Sequence, residues 1–407
     1  MSNKTRVSRE LNELRNQLSY SKRIGFFLGA GASKAVGIPD INTLTNRIND
    51  NLDGPQKQLF EKLLLDLEVV AKPNAVNVEH ILDHIRLIRR ITLDKGEKEF
   101  DTIKGNVAAE LDKKICDEIY QIISSEEKTS DCKTTQKYVS WLNWLSKDFT
   151  KEIFTTNYDL ILEKSFEKLQ VPFFDGFVGA NESFFFPSSL ETNYYSSSQG
   201  KDFIHSDSPP NSWIRLWKLH GSLGWFWVDD KKSERIIRVS PAAKYNYKNN
   251  ELVIYPSREK YDSSRKQPFI AYFDRLKYFL QDGEGLFIIS GYSFSDDHVN
   301  EIIYNGAKFN NRIHIICFYY RDEDLQKLID SDNIHMNITA YSPNRILTGG
   351  NEFAWEEPKI DEDTSDLVLK FWNQPDKHLE LGDFNKLVDF FLICTGRKEK
   401  FDREILV

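Results

Sequence analysis

Apolar residues recur at spacings of three and four from Arg6 to Ser21, where Leu11, Leu14 and Leu18 share one side. This predicts an amphipathic helix packed on the body of the protein. The period then changes. Residues 23–28, Arg-Ile-Gly-Phe-Phe-Leu, are a short apolar run leading into Gly29, the pattern of a buried strand feeding a tight turn, with a helix expected from about Ser33. From residue 51 to 148 the three-and-four spacing returns, in stretches such as Glu79 to Ile91 and Ala108 to Ile123. A helical subdomain is expected there, broken by a lysine- and serine-rich surface loop near residues 124–135.

A second strand is expected at Glu152–Thr156, with a helix over 158–169, and a third at Trp213–Leu219, which runs directly into His220. Two further apolar strands, 286–290 and 313–318, flank a helical stretch at 297–308 and make a βαβ unit. Strands alternating with helices predict the α/β class, a Rossmann-like parallel sheet with helices on both faces, plus the inserted helical subdomain. Ligands of such sheets bind at the carboxyl ends of the strands. The expected organisation is an N-terminal helix at 1–22, a nucleotide-binding domain at 23–345, and a C-terminal helical tail at 346–407. The central domain carries the helical insertion at about 51–148 and a variable, aromatic-rich insertion at about 175–211, a lid or an assembly surface. The tail packs either on the core or on another subunit.

Composition narrows the function classes. A hydrophobic share of 40% and a charged share of 29% over 407 residues are those of an ordinary folded protein with a sizeable core. The net charge of −8 repels a phosphate backbone, and no lysine/arginine run offsets it, so direct nucleic-acid binding is not expected. The first residues lack the apolar stretch of a secretory signal, and no window holds about 18 uninterrupted apolar residues, so a cytoplasmic protein with no membrane partner is expected. The four cysteines, Cys116, Cys132, Cys317 and Cys394, are scattered and form no CxxC pair. Neither a disulfide framework nor a zinc ribbon is expected from them.

Five short segments carry candidate chemistry. Gly29-Ala30-Gly31-Ala32-Ser33 follows the first sheet strand and opens a helix, where backbone amides and the helix dipole meet a pyrophosphate; the plain alternative is a tight strand–helix turn. In Gly37-Ile38-Pro39-Asp40, Pro39 either stops the helix or bends it to bring Asp40 near a nucleotide. Asn157 and Asp159, in Thr155-Thr156-Asn157-Tyr158-Asp159, lie where a strand ends. Asn157 can bond a ribose hydroxyl or hold a water, or cap the next helix. His220, in Lys218-Leu219-His220-Gly221-Ser222, is the candidate general acid or base. Gly291 and Ser293 open a further turn, where Asp296, Asp297 and His298 are explained by the helix macrodipole rather than by a metal.

In this order the five segments resemble the sirtuin family, whose nucleotide-binding domain carries a GAGxS turn, a GIPDFR segment, a TQNID-type motif, a catalytic HG and a GTS motif. The resemblance spans about residues 24 to 310. It implies NAD over Gly29, Ala30, Gly31 and Ser33, with Pro39 and Asp40 beside the nicotinamide. It puts Asn157 and Asp159 at the nicotinamide ribose and pocket, His220 at the catalytic histidine, and Gly291 and Ser293 at the nucleotide-binding turn. Ile41-Asn42 stands where protein-modifying sirtuins have Phe-Arg, and the paired cysteines of the deacylase zinc ribbon are missing. The pattern is therefore more similar to bacterial sirtuin-like proteins of antiviral defence, which hydrolyse NAD and act beside a separate sensor such as a HerA-type hexameric ATPase and DNA translocase. An NAD glycohydrolase is expected, with a lysine deacylase or a non-catalytic NAD or ADP-ribose sensor as alternatives. Surface aromatics make a homo-oligomer the expected assembly.

Overall fold

The computed structural model describes residues 4–21, 23–68, 76–145, 148–190, 192–196, 202–206, 209–230, 233–240, 252–254, 267–331, 333–358 and 366–395. Expectations for the remaining residues, including parts of the aromatic insertion and of the tail, lie outside the described residues.

The protein is α/β, as the alternation predicts, and is built on a ten-stranded, mostly parallel sheet. From one edge the strands run Lys4–Arg6, Asn351–Glu356, Arg345–Thr348, Ile338–Tyr341, Ile313–Phe318, Gly285–Ser290, Ile24–Leu28, Glu152–Thr155, Ile214–Lys218 and Phe173–Phe174. The seven from Ile338–Tyr341 to Phe173–Phe174 are mutually parallel. Successive side chains of a strand point to opposite faces, so a strand covered on both sides is mostly apolar. Ile24–Leu28 is buried along its whole length. Phe26 joins one face with Leu11, Leu14, Trp141 and Phe391, while Phe27 joins the other with Leu276, Phe279, Val299 and Ile303.

The N-terminal helix forms at Val7–Tyr20 and buries Leu11, Leu14 and Leu18 on the first face. The segment from 346 onward, expected as a helical tail, first contributes the strands Arg345–Thr348 and Asn351–Glu356 to the main sheet. Its terminal helix, Phe384–Cys394, then packs on the core, where Phe391 stacks on Trp141 with centroids 4.4 Å apart.

The helical insertion comprises Gly54–Glu68, Val78–Thr92, Gly105–Thr129 and Lys133–Trp144, with a short hairpin at Glu99–Lys104. The surface loop expected at 124–135 is reduced to Ser130–Cys132. Helix 105–129 continues through the polar stretch because Glu127 is buried, accepting from the Leu160 amide at 2.6 Å and from Lys164 Nζ at 2.5 Å. The insertion shares a core with a second sheet that the periodicity did not reveal. This sheet is antiparallel and five-stranded, in the order Leu252–Ile254, Gly221–Asp230, Ser233–Arg238, Ser183–Phe185 and Phe177–Val178. Leu223, Phe226 and Ile237 pack there against Leu44, Ile48 and Ile81.

Candidate functional site

Four adjacent parallel strands set the site. Gly285–Ser290, Ile24–Leu28, Glu152–Thr155 and Ile214–Lys218 are neighbours in that order, and Ser290, Leu28, Thr155 and Lys218 stand in register at their carboxyl ends. The segments around Gly291, Gly29, Asn157 and His220 therefore all leave the sheet at one edge. Four of the five motifs, far apart in sequence, are gathered by topology alone.

The two glycine turns clasp each other. The amides of Gly29 and Gly31 donate to Ser290 O at 3.0 Å and Gly291 O at 2.8 Å. A Cβ on Gly29 would lie 2.4 Å from Gly291 O, and one on Gly31 would lie 2.6 Å from Gly291 Cα. Gly291 itself has φ +66° and leaves no room beside the Ala32 amide. These glycines thus permit loop-to-loop backbone contact, and two of the amides expected to receive a pyrophosphate are engaged within the protein. The helix they open is only Ala30–Lys34. Ala30 is exposed at its start, and Ser33 is buried.

Asn157 does not cap the helix that follows it. Its Nδ2 donates to Gly29 O at 2.9 Å and to Ser33 Oγ at 2.8 Å, and Ser33 Oγ donates to Asp159 Oδ2 at 2.6 Å. Thr155 Oγ1 ties the strand end to Leu28 O at 2.7 Å and accepts from the Asn157 amide at 3.0 Å. Because Gly29 O and Ser33 Oγ occupy both amide hydrogens, the orientation of the Asn157 side chain is determined, and its Oδ1 has no partner among the described residues. Ser33, Asn157 and Asp159 line one cavity with Thr155, Leu28 and Lys218. Helix Ile161–Lys168 begins three residues later than the apolar spacing suggests, because Asp159 Oδ1 accepts from the Ile161 amide and Glu127 from that of Leu160.

Lys218 brings to this cavity a charged pair that the motifs do not indicate. Lys218, 2% exposed, donates to Asp159 O, to Glu163 Oε1 at 2.6 Å and to Ser222 Oγ at 3.3 Å. Burial holds the Glu163 carboxyl above the ordinary range, with Lys218 opposing it. The signal was present in the sequence as a lysine in the mostly apolar strand segment Ile214-Arg215-Leu216-Trp217-Lys218-Leu219.

His220 follows that strand and is 5% exposed. At Gly221, φ +85° turns the chain out of the main sheet into strand Gly221–Asp230, a conformation that glycine adopts without strain. His220 Nε2 lies 2.8 Å from Asp296 Oδ2. Asp296 is the N-cap of helix Asp297–Phe309, its Oδ1 accepting from the His298 and Val299 amides. Ser293 is exposed and donates to Ser295 Oγ at 3.1 Å. Asp40 caps helix Ile41–Asn51 by accepting from the Thr43 amide, and its hydrogen bond to Lys34 Nζ holds its carboxyl down at about 2. The structure thus gives Pro39-Asp40 a helix-start role and does not bring either residue into the cavity lining.

Among the described residues no group of three His, Cys, Asp or Glu side chains is arranged to hold a metal ion, and no helix is long and apolar enough to cross a membrane. The cysteines lie in different elements, Cys317 inside a main-sheet strand and Cys394 in the terminal helix.

Residues 151–336 match the family described as a SIR2-like domain, a span that includes Asn157, Asp159, His220, Gly291 and Ser293. No curated protein matches the chain in sequence. Solved structures similar to it include a Sir2 homologue in complex with NAD, at 12% identity and TM-score 0.34, covering 78% of this chain and 85% of that one. Another is a Sir2 homologue mutant in complex with 2'-O-acetyl ADP-ribose, at 14% identity and TM-score 0.36, covering 75% and 83%. A third is a Sir2 protein with a p53 peptide and NAD, at 11% identity and TM-score 0.34, covering 76% and 86%.

Proposed function

We propose that the protein is an NAD glycohydrolase, cleaving the nicotinamide–ribose bond to give nicotinamide and ADP-ribose. The observation that carries this reading is the convergence of the Asn157 and His220 segments with both glycine turns at the carboxyl ends of four adjacent parallel strands. Ser33, Asn157 and Asp159 form a set of short hydrogen-bonding side chains suited to a hydroxyl-rich ribose. The match of residues 151–336 to the SIR2-like domain supports the same substrate.

In the proposed reaction the bond between the ribose C1' and the nicotinamide nitrogen breaks, and its electron pair leaves with nicotinamide. Water adds to the oxocarbenium-like carbon and loses one proton. Asn157 Oδ1, held by the amide's two donated bonds, accepts from the ribose hydroxyl or from that water, and His220 takes the proton. The carbonyl of Gly29 and the hydroxyl of Ser33 keep Asn157 aimed. Asp159 belongs to the nicotinamide pocket. Ala30, Gly31, Gly291 and Ser293 flank the remainder of the dinucleotide.

The role we assign is depletion of NAD in the cytoplasm by the effector of a bacterial antiviral system, working as a homo-oligomer beside a separate sensor such as a HerA-type hexameric translocase. It is supported by the ordered motifs and by scattered cysteines that supply no zinc ribbon for a deacylase. NAD consumption by the purified protein, alone and with such a translocase, tests the reading. Peptide-independent release of nicotinamide, lost in His220→Ala and Asn157→Ala variants that still fold, is the expected result. NAD binding without turnover under every condition would refute it in favour of a sensor, and turnover only with acylated peptide in favour of a deacylase.

A further inference from the structure

Asp296 caps helix Asp297–Phe309 through Oδ1 and turns Oδ2 toward His220. We infer that Asp296 is the positioning residue of His220, forming with it a carboxylate–imidazole pair that sets which ring nitrogen acts as base; this rests on the hydrolase reading.

The two oxygens divide the work. Oδ1 accepts from the His298 amide at 3.0 Å and the Val299 amide at 3.4 Å, while Oδ2 lies 2.8 Å from His220 Nε2. Two backbone donors and the positive end of a 13-residue helix favour negative charge on this carboxylate. An ionised carboxylate can only accept, so Nε2 must be the nitrogen that carries hydrogen, and Nδ1 is the basic nitrogen of the neutral ring. When Nδ1 takes a proton from water, the imidazolium formed faces a carboxylate already in contact with it. Both side chains are largely withdrawn from solvent, at 6% and 11% exposure, so water screens the pair little.

The backbone that carries this carboxylate is tied into the turn. Tyr292 OH donates to Asn300 Oδ1 at 2.9 Å and lies 3.2 Å from Asp296 O, and Asn300 Nδ2 donates to Phe294 O at 2.9 Å. Phe294, the non-glycine residue of this turn at positive φ (53°), is packed against Tyr292 and Tyr319. A turn held this way fixes the Cα from which the Asp296 side chain reaches His220. This also gives the Gly291–Asp296 turn a task that a lone helix cap does not require.

Asp296→Asn and Asp296→Ser separate the two roles, because asparagine and serine cap helices about as well as aspartate but carry no charge. The protein is labelled with ¹⁵N-histidine, and the His220 ring signals are assigned by their loss in His220→Gln. In the wild type Nε2 should show the shift of a protonated nitrogen and Nδ1 that of a basic one at pH above the ring's titration. In Asp296→Asn the tautomer ratio should move toward the mixture of a free imidazole. With NAD, kcat should fall by about 10²-fold or more in both variants while KM changes little, as expected for loss of an oriented proton acceptor. Unchanged ring shifts in Asp296→Asn overturn the pairing whatever the turnover. Altered shifts with unchanged kcat overturn the positioning role and leave the hydrolase reading intact. A wild type that shows the paired ring signature but no NAD turnover removes the hydrolase reading and, with it, the catalytic use of the pair.

Discussion

Replacing Lys218 by methionine tests the physical account of the site most directly, because it removes a charge and leaves the volume nearly unchanged. The Lys218 side chain is 3% exposed, that of its partner Glu163 is 15% exposed, and Glu163 Oε2 has no hydrogen-bond partner among the described residues. Deleting one member of a buried pair strands the other and costs about 3–5 kcal/mol. The stranded carboxyl, already held above its ordinary value of 4.5 by burial, rises further without Lys218. The folded variant then keeps a proton that the unfolded chain releases near its ordinary value. Stability of the variant must therefore fall as pH rises above that value, by up to about 1.4 kcal/mol per pH unit, until the carboxyl ionises within the fold. Urea unfolding at pH 5 and pH 8 should show the smaller loss at pH 5. The double variant Lys218→Met/Glu163→Gln should recover most of the deficit and lose the pH dependence, giving a coupling of about 2 kcal/mol or more. A loss below about 1 kcal/mol at pH 8, or a coupling near zero, would refute the claim that this pair supports the Asp159 loop.

Two further outcomes follow from the same geometry. Gly291→Ala places a methyl group against the Ala32 amide at positive φ; it should cost at least about 2 kcal/mol in chemical denaturation and weaken NAD binding, since the two turns can no longer clasp. Asp40→Ala removes a helix cap and an exposed ion pair, so about 1 kcal/mol is expected, nearly all from the cap. Because Asp40 is lowered from 3.8 to about 2 in the fold, its contribution is complete above pH ~4 and lost as pH falls through ~2. The difference between wild type and Asp40→Ala should shrink over that window.

Much of the frame was legible before any coordinates. Ile24–Leu28, Gly285–Ser290 and Ile313–Phe318 form where apolar runs place them, and Glu152–Thr155 and Ile214–Lys218 form around shorter apolar stretches, because strands covered on both faces are mostly apolar. The second sheet was missed for the converse reason. Its strand Gly221–Asp230 follows His220 without a loop, and its partners Ser183–Phe185 and Phe177–Val178 are too short to show a period. The helix end at Thr129 was misjudged because Glu127 reads as a surface residue and becomes a buried acceptor only once Leu160 and Lys164 are beside it.

Local sequence determined the elements and the chemistry available at their ends: an amide at Asn157, an imidazole at His220, glycines at 29, 31 and 291. Periodicity and turn composition are properties of a few neighbouring residues, so they survive in the one-dimensional record. Tertiary structure decided what those groups do to one another. The Asn157 amide turned away from its own helix toward Gly29 and Ser33, the glycines faced each other across two loops, and Asp296 was brought against His220 from 76 residues away. None of these pairings has a local signature, because each depends on the strand order that sets Gly285–Ser290, Ile24–Leu28, Glu152–Thr155 and Ile214–Lys218 side by side, and that order is selected by burial of the whole sheet rather than by any segment within it.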